Sequence, residues 1–128
     1  MNKRRKFTLG GVIRSIGYGA RGIHVVVASQ PNAWIHAVVT VLVVIAGLYF
    51  GFTNIEWVIL VITIILVWAA ESLNSAVEYL ADLVSPDYHP LIRKTKDAAA
   101  GGVLITAIGS VIIGIIIIGP YILELFRG

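Results

Sequence analysis

Residues 55–84 read IEWVILVITIILVWAAESLNSAVEYLADLV, and the two parts of this stretch follow different rules. Up to Ala70 it is aliphatic and aromatic with Glu56 as its only charge, the composition of a helix crossing a hydrocarbon layer roughly 30 Å thick. Beyond Ala70, Glu71, Asn74, Glu78 and Asp82 stand at i, i+3, i+7 and i+11, which at about 3.6 residues per turn puts all four on one narrow helix face. Leu73, Ala76, Val77, Leu80 and Ala81 point elsewhere. An ionisable side chain at the centre of a span costs roughly 2.5–3.5 kcal/mol on insertion scales and less toward the ends. The ridge therefore has to face protein, water or an ion.

Two more apolar stretches, 34–50 and 98–118, have the length and composition of spans. The breaks between and after them are a short turn at 51–54, Ser85-Pro86, and Gly119-Pro120. Residues 7–29 mix Ile and Val with Arg14, Arg21, His24 and five glycines, too polar to insert and too apolar to float free, which predicts an interfacial amphipathic helix. The predicted fold is an all-α integral membrane domain: an interfacial helix followed by three transmembrane helices, the second with a cytoplasmic extension to residue 84. A cleavable leader is not expected, because no uninterrupted apolar stretch separates Lys6 from Arg14.

Composition agrees with a bilayer environment. The 128 residues are 58% hydrophobic and 13% charged, against roughly 45–50% and about 25% in soluble domains. The absence of cysteine excludes disulfides, thiolate metal sites and cysteine nucleophiles. The net charge of +3 is concentrated near the start, at Lys3, Arg4, Arg5 and Lys6, a local cluster that does not describe a nucleic-acid binder. Lys and Arg recur at Arg14, Arg21, Arg93, Lys94 and Lys96, are absent from 51–56, and end with Arg127. By the positive-inside rule the N-terminus and the 85–97 loop are cytoplasmic and the C-terminus lies outside.

Paired carboxylates beside an amide and near lysines suit a divalent cation with a phosphate. Mg²⁺ takes hard oxygen ligands, usually one or two carboxylates, and completes its shell with water and substrate phosphates; a lysine adds point charge. The plainer alternative is that the acids reach the headgroups and pair with Arg93, Lys94 or Lys96. Asp97, just before the small residues 98–102, also reads as an N-cap. Lys96 has no comparable structural reason to stand there.

The run Glu71-Ser72-Leu73-Asn74-Ser75-Ala76-Val77-Glu78, then Asp82, Tyr88-His89-Pro90-Leu91 and Lys96-Asp97-Ala98-Ala99-Ala100-Gly101, resembles the signature of the prokaryotic diacylglycerol kinase family, which includes the undecaprenol kinases. The likeness extends over roughly residues 7–121, with Gly22, the Asn32/His36 pair and Glu56-Trp57. The resemblance implies a small bacterial inner-membrane kinase, usually a homotrimer, that moves the γ-phosphate of ATP to a lipid hydroxyl with Mg²⁺. It implies Glu71 as catalytic base and Glu78 as metal-binding carboxylate, with Asn74 and Asp82 shaping the pocket. Lys96 and Asp97, the Asp87-Tyr88-His89 turn and Tyr18 correspond to nucleotide contacts. At the position where many members carry a second metal-sharing glutamate, this chain has Gln30.

The soluble kinase templates are missing: there is no Gly-x-x-x-x-Gly-Lys-Ser/Thr loop, and the glycines at 10, 11, 17, 19 and 22 match no Gly-rich strand. A non-enzymatic alternative is a small proton-coupled transporter with Glu71 as relay, which leaves Asn74, Glu78, Lys96 and Asp97 unexplained as a set. The small-residue face of Ala100, Gly101 and Gly109 suits helix packing under either reading. Three narrow helices are expected to need neighbouring protomers to enclose the ridge. His24, His36 and His89 lie on separate segments and are read as interfacial; Trp34, Trp57 and Trp68 as boundary or packing residues.

Overall fold

A computed structural model describes residues 7–128; the basic cluster Lys3 to Lys6 lies outside them. Four helices follow in order: α1 Leu9–Ser29, α2 Pro31–Phe50, α3 Asn54–Val84 and α4 Pro90–Arg127. Local chemistry sets their boundaries. Thr8 caps α1 by accepting from the Gly11 N–H. Gln30 precedes Pro31 and is extended, at φ −105 and ψ 116, the conformation a following proline favours. It thus ends α1 and opens α2 with no intervening loop. Gly51 closes α2 with φ 70, a left-handed conformation that glycine adopts without penalty. Thr53 and Glu56 form a capping box that starts α3.

Three helices, α2, α3 and α4, are long and apolar enough to cross a membrane. The 31 residues of α3 and the 38 of α4, at about 1.5 Å each, exceed a hydrocarbon layer of about 30 Å, so both have length left over. Their mutual pairing is the most extensive in the bundle, and α1 packs on α2 and α3. The aliphatic exterior is bare: Leu66, Ile105, Ile115 and Ile116 are all exposed. The buried core is small and sits toward the start of α3, where Phe52, Leu60 and Ile117 meet Val43, Phe50, Trp57 and Tyr121.

Two helix ends differ from the sequence reading. The last apolar helix begins at Pro90, not near 98: His89 is its N-cap, its Nδ1 accepting from the Leu91 N–H at 3.2 Å, and Pro90 occupies the first turn. Asp97 is therefore no cap; it lies two turns inside the helix and accepts from Arg93 Nε at 3.1 Å. At the other end α4 runs through Pro120 to Arg127. Tertiary packing outweighs the helix-breaking residue there. The Tyr121 ring stacks on Phe50 and Phe52, at 5.4 and 5.3 Å between centroids, and its hydroxyl donates to Glu56 at 2.7 Å.

Candidate active site

The face of α3 that carries the four polar residues runs from fully buried to exposed. Glu71 is 1% exposed and Asn74 is buried; Glu78 is partly buried and Asp82 is in the open. Ser75, also buried, spends its hydroxyl on the Glu71 carbonyl at 2.9 Å. A single chain thus encloses the deep end of the ridge without help from a neighbour. The sequence expectation that the whole ridge needs neighbouring protomers therefore does not hold for Glu71 and Asn74; Glu78 and Asp82 are the ridge residues that one chain leaves partly or fully uncovered.

At the deep end, α2 brings His36 to Glu71, with Nε2 3.4 Å from Oε2. The helices are tied beside this contact by the Trp68 indole, which donates to Thr40 Oγ1 at 3.2 Å and sets its ring edge-on to the imidazole. The sequence reading assigned His36 no partner; its side chain, 15% exposed, packs against Glu71. Its partner lies 35 positions away in the chain, beyond the reach of helical spacing.

One turn outward, Asn74 Nδ2 donates to Glu78 Oε1 at 3.4 Å, and Gln30 Nε2 donates to Glu78 Oε2 at 3.3 Å. Asn74 thus addresses Glu78, not Glu71. Gln30 reaches Glu78 because the α1–α2 junction is pinned over α3, where Ser29 Oγ and the Tyr79 hydroxyl lie 2.6 Å apart. The buried Asn74 Oδ1 has no partner. A carboxylate and two amides, one of them with a buried unpaired oxygen, make a donor set that fits a hard cation also bound to phosphate. Among the described residues no three His, Asp or Glu side chains converge, so an all-protein metal cage is not formed.

At the exposed end, Lys96 of α4 bonds Asp82 of α3, Nζ to Oδ1, at 2.5 Å. A cleft of about 220 Å³ opens there, lined by Asp82, Asp87, Tyr88, His89, Arg93 and Lys96. The bend that builds it is held by Ser85 Oγ, which donates to the Asp87 carbonyl at 3.1 Å, and by the His89 cap. Asp97 flanks the cleft through its bond to Arg93. Tyr18 stands apart, exposed on α1 beside Arg21, whose guanidinium carbon is 5.2 Å from the ring centroid, and lining a separate hollow with Thr8, Gly11 and Arg14.

Residues 17–118 match the family model of prokaryotic diacylglycerol kinase, a span that takes in the ridge, the His36 contact and the cleft. An undecaprenol kinase of Bacillus subtilis is 34% identical over 119 residues, 93% of this chain and 97% of that one. A diacylglycerol kinase of Synechocystis sp. is 38% identical over 112 residues, 87% of this chain and 64% of that one. A diacylglycerol kinase of Escherichia coli is 30% identical over 101 residues, 79% of this chain and 83% of that one. A match over most of the chain, on a helical bundle whose polar ridge and cleft lie within the matched residues, leads to one conclusion: the chain belongs to the prokaryotic diacylglycerol kinase family.

Proposed function

We propose that this protein is an integral-membrane lipid kinase that transfers the γ-phosphate of ATP to the hydroxyl of a membrane lipid, diacylglycerol or undecaprenol. The observation that carries the reading is the graded ridge of α3. A carboxylate, Glu71, is buried within the bundle, and a polar cleft with a lysine opens at Asp82, about three turns further along α3. A lipid alcohol approaches such a site from the hydrocarbon and a nucleotide from water. The relatives named undecaprenol kinase and diacylglycerol kinase support both lipid classes. A proton-coupled transporter gives the Asp82–Lys96 cleft no role.

In this reading Glu71 is the general base that accepts the alcohol proton as the oxygen attacks in line. Lys96 exchanges its bond to Asp82 for the polyphosphate, with Asp87, Tyr88, His89 and Asp97 around the nucleotide, and Tyr18 contributing from α1. Glu78 would hold Mg²⁺ with Gln30 beside it, and Asn74, which donates to Glu78, fixes the carboxylate. Bound there, Mg²⁺ would neutralise charge on the transferring phosphoryl group.

The membrane arrangement belongs to the same proposal: α1 lies in the interface, α2 to α4 span a bacterial inner membrane, and three protomers assemble. The N-terminus and the 85–97 loop face the cytoplasm, where ATP is present. The bare aliphatic flanks of α2 to α4 support burial against lipid and partner helices. The test is to incubate purified protein with γ-labelled ATP, Mg²⁺ and each lipid separately. Label in either lipid supports the assignment, and label in neither removes it.

A further inference from the structure

We infer that His36 is a positioning residue, donating its Nε2–H to Glu71 Oε2 so that Oε1 alone is left to take the proton of the lipid hydroxyl. The inference rests on the kinase reading of Glu71 and goes beyond it, by giving the base an orienting partner on another helix. The two groups face each other at 3.4 Å; Glu71 is buried, at 1% exposure, and His36 is partly buried, at 15%. Neither has another partner: His36 Nε2 and both Glu71 oxygens are buried without a hydrogen bond. An ionised carboxylate accepts hydrogen bonds and donates none, and a neutral imidazole donates from one ring nitrogen. The Nε2–H tautomer is therefore the one that satisfies both residues.

The imidazole is itself held. His36 is one turn into α2, and the next turn places Thr40, whose hydroxyl donates to the His36 carbonyl at 2.6 Å and accepts from Trp68. Trp68 and Glu71 are three residues apart on α3 and share a face. The same helix surface that carries the base thus carries the ring that packs against its partner, at 6.3 Å between centroids and 66° between planes. A carboxylate free to rotate offers either oxygen in any direction. One pinned through Oε2 presents Oε1 in a single direction, which is how an orienting group assists a general base.

The test compares H36L and H36Q with the unmodified chain, using labelled transfer to lipid and thermal melting in detergent. Leucine removes the donor, and glutamine restores an N–H at about the reach of Nε2. The expected result is a kcat about 10- to 100-fold lower for H36L, the factor for one hydrogen bond to a charged group. The KM for ATP should be unchanged, and H36Q should recover most of the rate. Full turnover by H36L overturns the inference, and so does an H36Q as impaired as H36L, since the donor would then be irrelevant. Should H36L fail to fold, H36N takes its place, its amide too short to reach Oε2: a lowered kcat that H36Q restores supports the inference, and full turnover overturns it. Failure of the unmodified chain to label any lipid removes the kinase reading itself, a result distinct from either.

Discussion

Gln30 Nε2 donates to Glu78 Oε2 at 3.3 Å, joining the α1–α2 junction to the outer half of the α3 ridge. The contact sets the register between these segments and puts a neutral amide where the family resemblance leads one to expect a second acid. Replacing the amide by a carboxylate puts two like charges side by side, a repulsion that a divalent cation relieves. Q30E should therefore lower the half-saturating Mg²⁺ concentration roughly tenfold, and melt earlier without Mg²⁺ by about 1 kcal/mol of stability. Mg²⁺ titrations of activity and of melting temperature check this; an unaltered Mg²⁺ requirement would count against a metal between positions 30 and 78.

Glu78 receives both amide N–H groups of its surroundings and is the only carboxylate among the three. E78Q should abolish transfer, or raise the Mg²⁺ requirement by more than about tenfold, because a neutral amide is a weaker ligand for a hard cation. An unchanged Mg²⁺ dependence in that variant would remove Glu78 from the metal site.

The Asp82–Lys96 pair is solvent-facing, with side chains 65% and 35% exposed. Pairs of this kind are worth only roughly 0–1 kcal/mol to stability. K96M should therefore leave the melting temperature nearly unchanged while raising the KM for ATP about tenfold or more, the scale of a lost charge-assisted contact to phosphate. A variant that melts early but keeps its KM would show Lys96 to be a structural bridge between α3 and α4.

At the opposite end, Gly47 is pressed against aromatic rings. A Cβ there would lie 2.7 Å from Trp57 Cη2 and 3.0 Å from Phe52 Cδ2. G47A should cost about 1–3 kcal/mol by overpacking, visible as earlier melting, with little change in KM for ATP because the cleft lies at the other end of α3. Unaltered melting would mean that the aromatic cluster can move aside.

The ridge and its acids were legible because helical spacing is local: Glu71, Asn74, Glu78 and Asp82 lie on one helix and need no knowledge of neighbours. The turn at Gly51 and the stop at Ser85 were legible for the same reason. Asp97 was misleading because an acid before a run of small residues has the pattern of a cap, whereas Pro90 in the first turn, behind His89, was the stronger start signal. Pro120 misled because the contacts that carry α4 past it, Tyr121 with Phe50, Phe52 and Glu56, join residues about 65–70 positions apart. His36 escaped on the same ground, its partner being on another helix. Gln30 was singled out only through the family pattern, because its contact with Glu78 joins residues 48 positions apart.

Glu71 as the base is the central claim, so the deciding measurement is E71Q in two assays on one preparation: transfer of labelled phosphate to lipid, and binding of ATP with Mg²⁺. Glutamine keeps the shape of the side chain and loses its capacity to accept a proton at neutral pH. The expected result is a fall in turnover of at least about 10²-fold, the range for a general base, with nucleotide affinity within about threefold of the unmodified protein. Lipid phosphorylation at the unmodified rate by E71Q would contradict that role.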